Sequence, residues 1–147
     1  MADITMFMNS DHAYIDGLWG EFLGERSDAE RAAQLFKIFK EHIERHIKLE
    51  DEYLFPALEK HLGFQGELGP TALAVEQHKN IIKLVGLVDE AGKTKALEKI
   101  IFAGNNLRSA LAAHRETENE IHYPVSDFFI KDDEWEKMKQ EVYWDLL

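Results

Sequence analysis

Residues 46–56 read HIKLEDEYLFP, and residues 114–124 read HRETENEIHYP. Leu49, Tyr53 and Ala57 carry an apolar stripe through the first stretch at helical spacing, so it reads as an amphipathic helix with one face toward a core. His46 and Glu50 stand on or beside that stripe, one turn apart. A carboxylate taken into a core without a partner is costly, and a buried imidazole needs its ring nitrogens satisfied. The second stretch repeats the arrangement at a constant separation of 68 residues: His114 matches His46, Glu118 matches Glu50, Glu120 matches Glu52 and Pro124 matches Pro56. Upstream, His12 in NSDHAYIDGLW has a counterpart 66 residues later, His78 in VEQHKNIIKLV. The chain reads as two halves, each supplying one helical histidine and then an H-x-x-x-E.

The helical period holds nearly everywhere and strand-like alternation is absent, which predicts an all-α fold. Helices are expected over about residues 10–26, 28–62, 71–91, 95–123 and 132–145. Asn9 or Ser10 would cap the first and Ser27 or Asp28 the second, whose C-terminus falls at Gly63. Pro56 removes a backbone donor inside the second helix and predicts a kink. The segment GFQGELGP is a loop, and Gly92 ends the third helix. The third helix carries Leu73, Val75, His78, Ile81, Ile82, Val85 and Val88 as apolar-face positions. The fourth carries Leu97, Ile101, Gly104, Leu107, Leu111, His114, Glu118 and Ile121. Long helices with short connections give a single domain over residues 1–147, an up-down-up-down antiparallel four-helix bundle with a short C-terminal helix.

Bulk properties narrow the function. The formal net charge of −11 argues against a nucleic-acid surface and against anionic membranes. With no cysteine, disulfides, thiolate zinc sites and cysteine nucleophiles are excluded together. The first residues carry acids and no basic segment leading into an apolar run, and nothing approaches a membrane-spanning length, so a cytoplasmic protein is expected.

Positions four apart on a helix share one face. His46 with Glu50, and His114 with Glu118, can therefore point into one volume of a bundle core, and antiparallel neighbours bring His12 and His78 to a similar depth. Imidazole plus carboxylate without sulfur suits iron, manganese or zinc. A carboxylate from each half could bridge two metals, which would compensate both buried charges. The competing reading is a relic of duplication in which each His–Glu pair satisfies itself.

At these residues the sequence resembles the hemerythrin-like, or HHE cation-binding, family, over essentially the whole chain from His12 to the C-terminal helix. The resemblance implies a non-haem di-iron centre inside a four-helix bundle. His12, His46, His78 and His114 would be terminal ligands, and Glu50 and Glu118 would bridge two irons together with an oxo or hydroxo group. Oxygen-carrying hemerythrins have H-x-x-x-H in the third helix; here Ala74 and Ile82 flank His78 at that spacing. The carriers also place an aspartate five residues after the fourth-helix histidine, where this chain has Glu118 at four. The set looks more like the bacterial iron-centre repair proteins and the iron-sensing members, although the cysteine-bearing segment of many repair proteins is missing. Each iron would keep one labile position, which favours reaction with O2, peroxide or NO over clean reversible binding. The alternatives are a repair or sensing protein, or a reversible oxygen carrier or store. Peroxide- or NO-reducing turnover is open, and the redox partner is not written in the sequence.

Other residues could alter the ligand set. His42 lies one turn before His46 and could be a fifth ligand, a partner behind the ligands, a gate or a satisfied core histidine; its counterpart is Ala110. Asp16 could ligate or face solvent. Tyr53 could donate to a bound oxygen species or merely pack. Glu52 and Glu120 point away and are expected on the surface, and His61 and His122 receive no role. Trp19, Phe22, Phe36 and Phe39 read as core that keeps water from the metals.

Overall fold

The structure, a computed structural model, describes residues 2–63 and 71–143. Its helices are α1 (Ile4–Gly24), α2 (Ala29–Lys48), α3 (Phe55–Leu62), α4 (Ala72–Lys93), α5 (Leu97–Thr117), α6 (Tyr123–Phe129) and α7 (Asp132–Tyr143). Two π-helical turns, Leu49–Leu54 and Glu118–His122, join α2 to α3 and α5 to α6. No strand occurs among the described residues. The α2–α3 and α5–α6 pairs each act as one long helix, so the chain forms the expected all-helical bundle with α7 closing one end. α1 packs along α2 and α4 along α5, while α6 crosses back onto α1.

The core falls into two clusters. Trp19, Phe22, Phe36 and Phe39 stack at 5.0–5.9 Å between ring centres and, with Ile15, Ile43, Ile81 and Leu107, fill one end of the bundle. Met8, Leu49, Leu54, Phe55, Tyr123, Trp135 and Tyr143 fill the other. Gly104 lets α5 approach the first cluster, since a Cβ there would meet Trp19 Cζ2 at 2.3 Å.

Several local expectations hold. Asp28 caps α2 by accepting from the Arg31 N–H at 3.2 Å. Gly63 ends α3 in the left-handed conformation at φ 81°. The GFQGELGP loop lies, after that glycine, outside the described residues, as do the last two residues of the expected C-terminal helix.

Other expectations are corrected. α1 begins six residues before Ser10, because its cap comes from elsewhere in the chain. The Asp127 carboxylate accepts from Ile4 N–H at 2.7 Å and from the Thr5 hydroxyl at 2.5 Å, satisfying donors that neither Asn9 nor Ser10 serves. Gly92 sits inside α4, and it is Lys95 that takes the left-handed turn at φ 57°. Leu73, Ile82, Leu97, Ile101 and Ile121 are exposed rather than core-facing.

Neither Pro56 nor Pro124 ends its helix: helical residues run on to Leu62 and to Phe129. Within an α-helix each proline ring would press on the carbonyl four residues back. Here the turn before each proline widens: the Phe55 N–H bonds to the Glu50 carbonyl, and the Tyr123 N–H to the Glu118 carbonyl, each five residues back. The turn absorbs one extra residue and the helix runs on, its later residues rotated by roughly 100° about the axis. Both insertions fall on the repeated glutamates.

Candidate metal centre

Six buried side chains converge between the two core clusters: His12 and His46 from α1 and α2, His78 and His114 from α4 and α5, and Glu50 and Glu118 from the two π turns. Glu50 and Glu118 are fully buried. Their potential ligand atoms form two groups, each within 4.8 Å: Glu50, His78, His114 and Glu118 in one, and His12, His46 and Glu118 in the other. Glu50 reaches the second group as well, with Oε1 2.7 Å from His46 Nε2. Ile15, Ile43 and Ile81 form the apolar wall of a cavity of about 20 Å³ at this place, room for little more than one water-sized guest.

Behind the donors, the ring orientations are fixed from outside. His46 Nδ1 donates to Asp11 at 2.6 Å, His78 Nδ1 to Asp51 at 2.5 Å and His114 Nδ1 to Gln77 at 2.7 Å. A carboxylate only accepts, so His46 and His78 must carry their protons on Nδ1 and turn Nε2 inward. Asp11 also accepts from His42 Nε2 at 2.6 Å and from the Tyr143 hydroxyl at 2.9 Å. These supports obey the repeat, since Asp11 precedes His12 as Gln77 precedes His78, and each holds the H-x-x-x-E histidine of its own half. Asp11 and Gln77 lie outside the set that the H-x-x-x-E repeat picks out. The signal for them is the 66-residue separation, extended by one position.

The inward atoms call for a cation. His78 Nε2 and His114 Nε2 stand 2.7 Å apart, and His12 Nε2 and His46 Nε2 3.1 Å apart. His78 and His114 both donate from Nδ1, so each ring's remaining nitrogen is turned toward the other. The carboxylates repeat the pattern. Glu118 Oε1 lies 2.9 Å from His114 Nε2, yet Glu50 Oε1 and both Glu118 oxygens are buried without a hydrogen bond. Close acceptors that fail hydrogen-bond geometry are what remain when the shared partner is a metal ion, so this cluster could hold metal.

The electrostatics agree for two of the rings. Burial pushes His12 down to about 2 and His114 down to about 3, with the neighbouring imidazoles and Arg115 adding to the effect, so both stay neutral and able to ligate. Burial also opposes charge on His46, but Glu50 and the hydrogen bond to Asp11 outweigh it and raise that ring to about 9. Without metal, a proton on His46 is the substitute cation for Glu50. Burial alone would raise the Asp11 carboxyl, but hydrogen bonds from His42 and His46 hold it well below the usual range.

The remaining candidates fall outside the donor groups. His42 lies behind Asp11, one layer from His46. Asp16 is mostly exposed and pairs with Arg115 at 2.7 and 2.8 Å. Glu52 and Glu120 are exposed, as expected. His61 pairs with Glu134 at 3.2 Å near the surface, and His122 is buried beside Phe55. Tyr53 packs against the core cluster that includes Leu49 and Leu54 and is not the tyrosine of the site. That place belongs to Tyr123, whose hydroxyl lies 3.3 Å from His12 Nε2 and 3.4 Å from Glu50 Oε2. Tyr123 stands five residues after Glu118, out of α-helical phase with it, and the π turn brings it inward. Its counterpart Phe55 stacks on His78 at 5.9 Å, the planes 8° apart.

No curated protein and no solved structure matches the chain. The family model described as the hemerythrin HHE cation binding domain matches residues 3–125, a span that contains all six converging side chains. The chain therefore belongs to the hemerythrin HHE cation-binding family.

Proposed function

We propose that this protein is a non-haem di-iron protein that binds or reacts with O2 or a related small molecule, peroxide or NO. His12, His46, His78 and His114 would be the terminal ligands and Glu50 and Glu118 the bridges, in a pair that also shares an oxo or hydroxo group. The observation that carries the reading is that Glu118 belongs to both donor groups, while neither of its oxygens has a hydrogen-bond partner. A carboxylate common to two ion positions bridges them naturally. Two irons would supply electrons and labile coordination positions; the chain supplies the rest. Asp11, Asp51 and Gln77 orient three of the rings so that their Nε2 atoms turn inward. The apolar wall of Ile15, Ile43 and Ile81 limits water. Tyr123 keeps its proton because burial and the nearby Glu50 charge raise it well above the usual phenol range, so it serves as a hydrogen-bond donor beside the His12 position.

Elemental analysis with visible spectra of the isolated, reduced and re-aerated protein tests this. About two irons per chain, with absorption lost on reduction and recovered in air, is the expected result. A stable oxygenated form on stopped-flow mixing would favour a carrier or store, and rapid oxidation with turnover of peroxide or NO a reactive centre. Zinc or manganese in place of iron, unchanged on reconstitution with ferrous iron, would overturn the iron assignment. Tyr123→Phe is expected to keep the metal content and to change the reaction rate with O2 by about tenfold or more, because it removes the hydroxyl that stands beside His12 and Glu50 and would donate to a bound small molecule.

A further inference from the structure

Most of the residues that line the metal cavity are buried. Ile47, Leu111 and Arg115 are half-buried, so the cavity meets the outside at these three. Leu111 and Arg115, both on α5, also line a separate cleft of about 550 Å³ between α1 and α5. Among the described residues, no other lines both places. The cleft is an outer chamber, bounded by exposed residues such as Gly20, Asn105 and Ala112, and those two side chains are the wall it shares with the donors.

That wall is weakly held. Arg115 Nη1 donates to both oxygens of Asp16 at 2.7 and 2.8 Å, and the Asp16 side chain is 62% exposed. An ion pair with so exposed a partner contributes little to holding a side chain in place. Arg115 Nε and Nη2 are buried without a hydrogen bond, a state that hydration of the guanidinium would relieve. Swinging the side chain outward therefore breaks one weak pair and lets water reach two unsatisfied donors. Leu111 is an apolar side chain packed beside it and has no polar partner to keep it closed.

The charges of the chamber select what enters. Its charged lining is Arg108, Arg115 and Asp16, a positive excess in a chain whose formal net charge is −11. A cleft lined by one sign of charge raises the local concentration of the opposite one. We propose that the α1–α5 cleft is the entrance by which small anions reach the metal cavity, with Arg115 and Leu111 as its inner door. The inference rests on the metal-centre reading for its destination and holds for any resident metal. A door changes the rates of entry and exit by one common factor and leaves affinity unchanged, which distinguishes it from a group that binds the ligand.

Stopped-flow mixing of the metal-loaded protein with azide, followed by visible absorption, reads both rates. Ala112 is exposed and lines the cleft but not the metal cavity. Ala112→Trp is expected to fill the chamber and slow azide association and dissociation alike, by about tenfold or more, with affinity and metal content unchanged. Leu111→Ala is expected to speed both rates by a common factor of about threefold or more. Ala112→Trp carries the test should Leu111→Ala fail to fold. Arg108→Gln is expected to slow azide association at low ionic strength and to lose that effect in high salt. Unchanged rates in Ala112→Trp, or a larger acceleration from Ile47→Ala than from Leu111→Ala, overturn the entrance, and rates indifferent to Arg108→Gln overturn its preference for anions. Elemental analysis separates the two readings. A protein without metal refutes the metal centre, and the door is then read on Ile81→Cys, which places a single thiol on the cavity wall of a chain that has no cysteine. Its modification by iodoacetate is expected to slow when Ala112→Trp is added, and an unchanged rate overturns the proposal.

Discussion

Asp11→Asn keeps the shape of the side chain and removes one charge, which isolates what the carboxylate does for His46. Asp11 Oδ2 accepts from His46 Nδ1 at 2.6 Å and from Tyr143 at 2.9 Å, while Oδ1 accepts from His42 at 2.6 Å. An asparagine offers one acceptor oxygen and turns an NH2 toward the donor at the other position. If the oxygen faces His46, the bond survives without its charge and His42 loses its partner; if it faces His42, the His46 ring is free to rotate. Hydrogen bonds to charged groups contribute roughly 1.5–3 kcal/mol, and a buried donor facing another donor costs a similar amount. At about 1.4 kcal/mol per decade this is roughly a 10- to 100-fold loss of metal affinity, the usual scale for removing the group behind a metal-bound imidazole. Titration of the metal-loaded protein with a chelator, with bound metal as the readout, measures it. The ion at the His12–His46 position is expected to leave at a roughly 10- to 100-fold lower chelator concentration, with the other ion held nearer its wild-type level. Asp51→Asn serves as the comparison at His78. Asp51 is 27% exposed, so water can take over part of its role and a smaller shift is expected. Release at wild-type chelator concentrations in Asp11→Asn, or a larger effect from Asp51→Asn, would refute the reasoning.

The same geometry constrains stability and metal content elsewhere. Gly104→Ala would set a Cβ against the Trp19 ring, and overpacking of this kind costs about 1–3 kcal/mol, so the thermal midpoint is expected to fall by several degrees; an unchanged midpoint would show that α5 shifts freely. Glu118→Ala is expected to lower bound metal at both positions, whereas His12→Ala lowers it chiefly at one, as read by elemental analysis; equal losses would separate Glu118 from the bridging role. In the metal-free protein, His12 and His114 are pushed down to about 2 and about 3 when folded, so the unfolded chain binds more protons and stability falls as pH drops through the ordinary histidine value of 6.5. His46, raised to about 9, contributes stability that is complete below 6.5 and fades as pH rises toward 9, which places the melting maximum near pH 6.5 by circular dichroism; a steady rise to pH 9 would contradict it.

The bundle and the six converging side chains were legible because they obey one period. His12, His46, Glu50, His78, His114 and Glu118 lie on inward faces at ordinary helical spacing, and their repetition at 66 and 68 residues announces a shared centre. What the sequence hid depends on contacts between distant segments or on a change of period. The start of α1 rests on Asp127, far along the chain, so no local capping rule finds it. Tyr123 is out of phase with Glu118 by α-helical counting and enters the site only through the π turn, which is also why Tyr53, in phase with Glu50, does not. Ile82 and Ile101 fit a helical stripe yet face outward, because a stripe wide enough to include them exceeds what two neighbouring helices can cover.

The two halves are alike in their inward donors and differ in nearly everything that touches them. Asp11 holds His46 with a charged group, while Gln77 holds His114 with a neutral amide. Asp11 is backed in turn by His42 and Tyr143, whereas the position matching His42 is Ala110, which can return no hydrogen bond. Tyr123 sets a hydroxyl beside His12, and its counterpart Phe55 sets an apolar face on His78. Under the proposed reading, two equivalent ions would require the equivalent donors. That requirement does not explain the surroundings: Asp11 and Tyr123 stand on the His12–His46 side, while Asp51, whose counterpart is Asn119, stands behind His78. With one carboxylate behind an imidazole on each side, the asymmetry that remains nearest the donors is Tyr123 against Phe55. Under the proposed di-iron reading, a donor on one side and none on the other would turn a small polar ligand one way, and Tyr123 opposite Phe55 supplies that difference.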